Sequence, residues 1–179
     1  MGYIGQTITD VFPTSISVDT ATITTANISN QLTDANMSAG SILQVKQSVF
    51  AHASGMSTSN TSMTTTGHTI AITPSSSSSK ILLSNTTSLY NSAGNNVKIS
   101  ITRNHSGISE TDLGTATDQG FTQLHASGAT TGCGGAIVFL DSPSTTNEIT
   151  YTVKMRVSGG TGYYPVGGDA ILVAMEVAQ

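Results

Sequence analysis

From Ile149 to Val157 every second residue is apolar. Ile149, Tyr151, Val153, Met155 and Val157 alternate with Thr150, Thr152, Lys154 and Arg156. Side chains leave a strand on alternate faces, so this stretch predicts a half-buried strand with one wet face. The segment VKISITRN repeats the pattern with Val97, Ile99 and Ile101 inward. Runs of this kind recur along the chain between turn signals, with no helical period between them. Such a chain buries its apolar faces by stacking one antiparallel sheet on another.

Composition narrows the surface. Charged residues make up 9% of the 179, against roughly 25% in an average domain. Ser and Thr together reach roughly 30%, so hydroxyls do the solvating that Lys and Glu usually do. Threonine also suits a pleated strand, because its branched β-carbon tolerates that backbone. Strand edges without charges invite edge-to-edge pairing, and a symmetric oligomer is the simplest way to cover them. The net charge of −4 and the six scattered basic residues, Lys46, Lys80, Lys98, Arg103, Lys154 and Arg156, argue against nucleic acid as partner, since phosphate binding needs clustered positive charge.

The chain divides at a small turn, MSAGS. Residues 1–40 carry no basic residue and no long strand pattern; they are read as an N-terminal attachment and oligomerisation arm. Within them ISVDT, ATITT and ANISN place Val18, Ile23 and Ile28 at equal spacing. Such spacing occurs in solenoids of stacked turns, and also by chance in a threonine-rich chain; both readings stay open. The candidate anchor residues are Tyr3, Ile4, Val11 and Phe12, apolar side chains in a segment that would order on a partner.

Residues 41–179 form the body. ILQVKQSVF is its first strand, with Leu43, Val45 and Val49 on one face, and HTIAIT follows with Ile70 and Ile72 inward. Pro74 and the serines 75–79 read as a hairpin loop. KILLSNTTSLY, VKISITRN and a short FTQLHAS come next, then a flexible GATTGCGG turn. AIVFLD (136–141), nearly all apolar, reads as central. SGGTGYYPVGG reads as an exposed loop. AILVAMEVA closes the chain with Ile171, Val173, Met175 and Val177 on one face, and so belongs mid-sheet or at a subunit contact. About eight strands match a jelly roll. The expected fold is all-β: an antiparallel jelly-roll-like sandwich head with a short extended N-terminal arm.

No catalytic constellation stands out. His52, His68, His105 and His125 show no metal-ligand spacing, and Cys133 is the one cysteine. GxSxG is missing, and GCGG and GGTG lack both the phosphate-loop pattern and the helix it needs. Asp141, Glu148 and Asp169 fall at strand ends, where turn capping is the default role over calcium binding. NxS/T triplets at Asn27, Asn36, Asn60, Asn85 and Asn104 follow from the Ser/Thr content. No enzyme activity, cofactor or metal is expected. Tyr163 and Tyr164 form the candidate surface-binding loop, for a sugar or a protein. The start, MGYIGQTITD, has neither a basic nor an apolar leader region, and no apolar run approaches the roughly 20 residues of a membrane span. A chain made in a cytoplasm, with no membrane insertion, is expected.

MGYIGQ, GSILQVKQSVF, TIAITPSSSSSKILL, VFLDSPSTTNEITYTVKMRV and ILVAMEVA occur here in an order that resembles short fibre and knob-like structural proteins of tailed bacteriophages, especially those of marine cyanobacteria. The resemblance covers most of residues 41–179. It implies a homotrimeric sandwich head in the virion, an arm fixed to capsid or tail proteins, and loops free to meet a host surface glycan. It carries over no catalytic residue. Two rival readings stand beside it. One is a dedicated glycan-binding fibre module that grips through the Tyr163–Tyr164 loop or residues 105–120. The other is a glycan-degrading enzyme, which would need a carboxylate pair that nothing marks.

Overall fold

The computed structural model describes residues 37–106, 108–114, 120–125 and 131–179, all within one compact unit, Leu32–Gln179. The arm up to residue 36, its pentad cadence and the anchors Tyr3, Ile4, Val11 and Phe12 lie outside the described residues.

Eleven strands are described: β1 (Ile42–Phe50), β2 (Met56–Thr58), β3 (Thr64–Ile72), β4 (Lys80–Asn91), β5 (Val97–His105), β6 (Thr111–Asp112), β7 (Thr122–Leu124), β8 (Thr131–Asp141), β9 (Ile149–Val157), β10 (Gly162–Tyr164) and β11 (Ala170–Val177). A single 3-10 turn, His52–Ser54, interrupts them. Alternation decides most of these. Along β9 buried and half-buried residues alternate without a break from Ile149 to Val157, and β4 does the same with Ile81, Leu83, Leu89 and the intervening polar residues. Each buried aliphatic side chain stabilises the fold by about 1.5–3 kcal/mol, so a one-residue slip of register would forfeit a whole face.

The first sheet runs β1-β11-β4-β8, with β10 and then β2 continuing it beside the far end of β4. The second runs β3-β9-β5, with β7 and β6 along the outer edge of β5. All these pairings are antiparallel. The frame strands β1, β3, β4, β5, β7, β8, β9 and β11 can be counted one to eight. One sheet then reads first, eighth, third, sixth, and the other second, seventh, fourth, fifth. That is the strand order of a jelly roll. Between the sheets lie Ile81, Leu83, Leu89, Ile137 and Leu172 from the first, and Ile72, Ile99, Ile101, Tyr151, Val153 and Met155 from the second.

Four local expectations need correction. The serine run is a crossing between sheets, because β3 and β4 belong to different ones. The glycines of TGCGG lie in strand: β8 pairs with β4 residue by residue from Asp141–Ile81 back to Thr131–Asn91. Long-range pairing there outweighs the turn preference of glycine. AIVFLD is not central, since β8 pairs only with β4 among the described residues. Part of the GYYP loop is the short strand β10.

Two buried carboxylates account for the most distinctive sequence segments. Glu176 of β11 accepts hydrogen bonds from the Ser75 amide (2.6 Å), the Ser75 and Ser79 hydroxyls (2.6 and 2.8 Å) and the Gln44 amide (2.5 Å). Burial pushes its pKa up, but these donors outweigh burial and hold it below the ordinary 4.5. The serine loop is thus a cradle for a charge. Asp141, at the end of FLD, is ion-paired to Arg103 at 2.7 Å and accepts from the Tyr151 hydroxyl at 2.8 Å. It ties β8 to the second sheet, a larger role than turn capping.

Candidate functional site

Strands β11 and β8 are apolar on both faces, and a sandwich covers only one. Leu172, Ala174 and Glu176 of β11 point into the core, so Ile171, Val173, Met175 and Val177 point out. Ile137 of β8 is buried while Val138 is 71% exposed and Leu140 46%. Register then assembles an ordered platform on the outer face of the first sheet. One row is Val45, Met175, Leu82 and Leu140; the next Gln47, Val173, Ser84 and Val138; the third Val49, Ile171, Thr86 and Ala136. None of these twelve side chains is charged, and Val45 is 57% exposed. Strands stand about 4.8 Å apart and rows about 6.8 Å, so the outermost α-carbons span roughly 14 Å each way. With side-chain reach the platform covers on the order of 400 Å², half of what one partner buries in a standard interface. It has no catalytic chemistry; it can exclude water against another apolar surface.

Further along the same face, past Ser88, lies a second feature. Tyr90 of β4 and Tyr163 of β10 are cross-strand partners, and their rings meet edge to face at 5.5 Å between centroids. With His52, Gly55, Met56, Pro165 and Val166 they line an open cleft of about 250 Å³. A Cβ on Gly55 would come within 3.0 Å of the His52 carbonyl and 3.1 Å of the Pro165 carbonyl, so a larger residue just before β2 would push this wall of the cleft outward.

The predicted tyrosine pair is split. Tyr163 is 37% exposed, whereas Tyr164 is fully buried. Successive strand residues point to opposite faces, so two neighbours on a strand cannot form one surface. Tyr164 is a core residue, not part of a binding loop. Its ring packs near Phe50 and His68. Its hydroxyl lies 2.7 Å from His68 Nδ1 and accepts from Asn85 Nδ2. Burial raises its pKa first and foremost, to about 12. The other ring nitrogen of His68 faces the Ser48 carbonyl, an acceptor only, so the proton sits on Nε2 and Nδ1 accepts from Tyr164. Tyr90 was missed in the sequence, and His52 was weighed there only as a metal ligand; the signal for Tyr90 was its place on the outward face of KILLSNTTSLY.

The remaining candidates stay apart. His105 and Glu148 border a polar groove with Asn104 and Asn147, Cys133 is exposed, and Asp169 accepts the His52 amide at 2.8 Å. Among the described residues no three or more His, Cys, Asp or Glu side chains gather to hold a metal. No helix among them is long and apolar enough to cross a membrane.

No family model matches the chain, and no curated protein matches it. Solved structures with partial likeness include the Eiger TNF of S. frugiperda, at 10% identity and a TM-score of 0.43, covering 75% of this chain and 92% of that one. Two others come from infectious bursal disease virus. The Gx strain structure aligns at 13% identity and 0.34, covering 77% and 37%. The VP2 subviral particle aligns at 16% and 0.30, covering 78% and 38%. This chain thus spans little more than a third of either viral chain. None of the three reaches a TM-score of 0.5, and the fold assignment rests on the strand order.

Proposed function

We propose that this chain is a virion structural subunit: a short trimeric knob, fixed to capsid or tail proteins of a bacteriophage by its N-terminal arm. The observation that carries the reading is the uncharged platform of β1, β11, β4 and β8. A strand apolar on both faces needs a second cover, and in a cyclic trimer the platform would lie against a different patch of the next copy. The flanking edges of β1 and β8 would supply the rest of a standard interface. The resemblance of the body segments to phage fibre and knob proteins supports the virion location and the count of three. Chemistry has no part in this reading; the protein works by assembling and by presenting loops to the host.

Light scattering on the full-length chain tests it. The expected mass is three times the 18.3 kDa of one chain, falling to a monomer in Val138→Lys, which places a charge at the exposed β8 end of the platform's middle row. A wild-type chain that stays monomeric at high concentration overturns the assembly. Peptides of this chain in purified phage particles, found by mass spectrometry, are the expected sign of virion membership; their absence would remove that part.

A further inference from the structure

The cleft between Tyr90 and Tyr163 has the makings of a ligand site distinct from the assembly platform. Four β4 positions separate Thr86, in the last platform row, from Tyr90, a distance of about 13 Å along the strand. The segment 165–169 lies between them. It is held down by Ser88, whose hydroxyl accepts from the Val166 amide at 2.9 Å and donates to the Val166 carbonyl. Aromatic residues are 5% of this chain, and Tyr163 spends one on solvent.

The polar element is His52. Its backbone amide donates to Asp169 Oδ1 at 2.8 Å, and its ring Nδ1 accepts the Gly167 amide at 3.2 Å. His52 is held at its backbone by Asp169 and at its ring by Gly167, and the ring proton is assigned to Nε2, because Nδ1 must offer a lone pair to an amide. Among the described residues that Nε2–H has no partner. No Asp, Glu, Lys or Arg lines the cleft, so a charged ligand would find no counterion. The volume falls below the roughly 300–1,000 Å³ of pockets for drug-sized molecules and fits one ring.

We infer that this cleft binds a single neutral pyranose residue of a glycan. The sugar's C–H face lies on the Tyr163 ring, with the Tyr90 ring at its side, and one hydroxyl accepts from His52 Nε2. Apolar aromatic wall, one fixed donor and absence of charge are together what such a ring needs: one face of it is apolar and its rim is hydroxyls. The inference does not depend on the assembly reading, because none of the platform residues takes part.

Saturation-transfer difference NMR on the full-length protein tests it, with the methyl glycosides of glucose, galactose, mannose, N-acetylglucosamine and rhamnose as probes. The expected result is transfer to the ring protons of at least one probe, with affinity in the millimolar range. Tyr163→Ala weakens it by about tenfold or more, the loss of one stacked ring, Tyr163→Phe retains it, and His52→Ala weakens it. No transfer to any probe overturns the proposal, as does transfer undiminished in Tyr163→Ala. Light scattering on Tyr163→Ala gives the wild-type mass if the cleft is a sugar site. A fall in mass would make it a seam between subunits and overturn the proposal. Val138→Lys, which breaks the platform, leaves the transfer intact, so either reading can fail without the other.

Discussion

Replacing Glu176 by glutamine keeps the shape of the side chain but removes the charge that Ser75, Ser79 and Gln44 answer. Hydrogen bonds to a charged group are worth about 1.5–3 kcal/mol each, and a glutamine still accepts some of them. The expected loss in urea denaturation is about 1–3 kcal/mol at neutral pH. The sign of the pH dependence follows from the lowered pKa. Above 4.5 the contribution of Glu176 is fully present, and it is lost as pH falls through the folded value. His68 acts earlier in an acid titration. Burial lowers its pKa, the bond to the Ser48 carbonyl raises it, and the net is below 6.5. From 6.5 downward the unfolded chain takes up a proton that the folded chain refuses, so stability declines from that point. Thermal melts between about pH 7 and pH 5 should show a first decline. His68→Gln should remove it while leaving the second, deeper decline of the carboxylates. A wild-type melting temperature flat across that interval would contradict the burial of a neutral imidazole.

Within β11 neighbouring residues should respond oppositely to truncation. Leu172→Ala opens a hole between the sheets and is expected to cost about 2–5 kcal/mol. Val173→Ala, one residue on, faces outward and should change the stability of a single subunit by no more than about 0.5 kcal/mol. Its effect would appear in the oligomer mass. Equal losses at both would mean that the strand's register is wrong. The same parity separates what was legible in the sequence from what was not. β9 could be read outright, because Thr150, Thr152, Lys154 and Arg156 mark its outer side; β5 could be read only for its apolar face, since Ser100 and Thr102 on the polar face are buried as well. In β11 and β8 both faces are apolar, so the sequence says that each is covered twice and not which side meets the core. The tyrosine pair failed for a different reason. A strand of three residues is too short to display a period, and its glycine surroundings look like a loop. Gly162 is glycine for packing and not for a turn, since a Cβ there would lie 2.5 Å from a Val157 methyl, and the sequence alone does not separate the two reasons. TGCGG was misread because glycine's local preference is weaker than the eleven consecutive pairings that β4 provides.

At the scale of the molecule, the two-sheet architecture was readable from strand count and turn signals, but the order of strands was not. The jelly roll interleaves distant segments, β1 beside β11 and β3 beside β9, and nothing local records which distant strand will be the neighbour. The platform was equally hidden as a surface. Its rows draw on residues near positions 45, 82, 138 and 175, which meet only when the register is known.

The serine cradle around Glu176 has a bearing on the media this molecule can tolerate. Its charge is satisfied by hydroxyl and amide donors, which mobile ions do not screen as they screen an exposed pair. Of the ion pairs seen among the described residues, Arg103–Asp141 is largely buried and Lys154–Glu110 is partly so. Raising sodium chloride from about 0.1 M to about 1 M shortens the Debye length from roughly 10 Å to 3 Å, yet has little here to weaken. The melting temperature should therefore stay within a few degrees across that range. A steep fall would mean that exposed charges hold the fold together. A fold held in this way solvates its charges from within, and brine and dilute buffer should leave it equally stable.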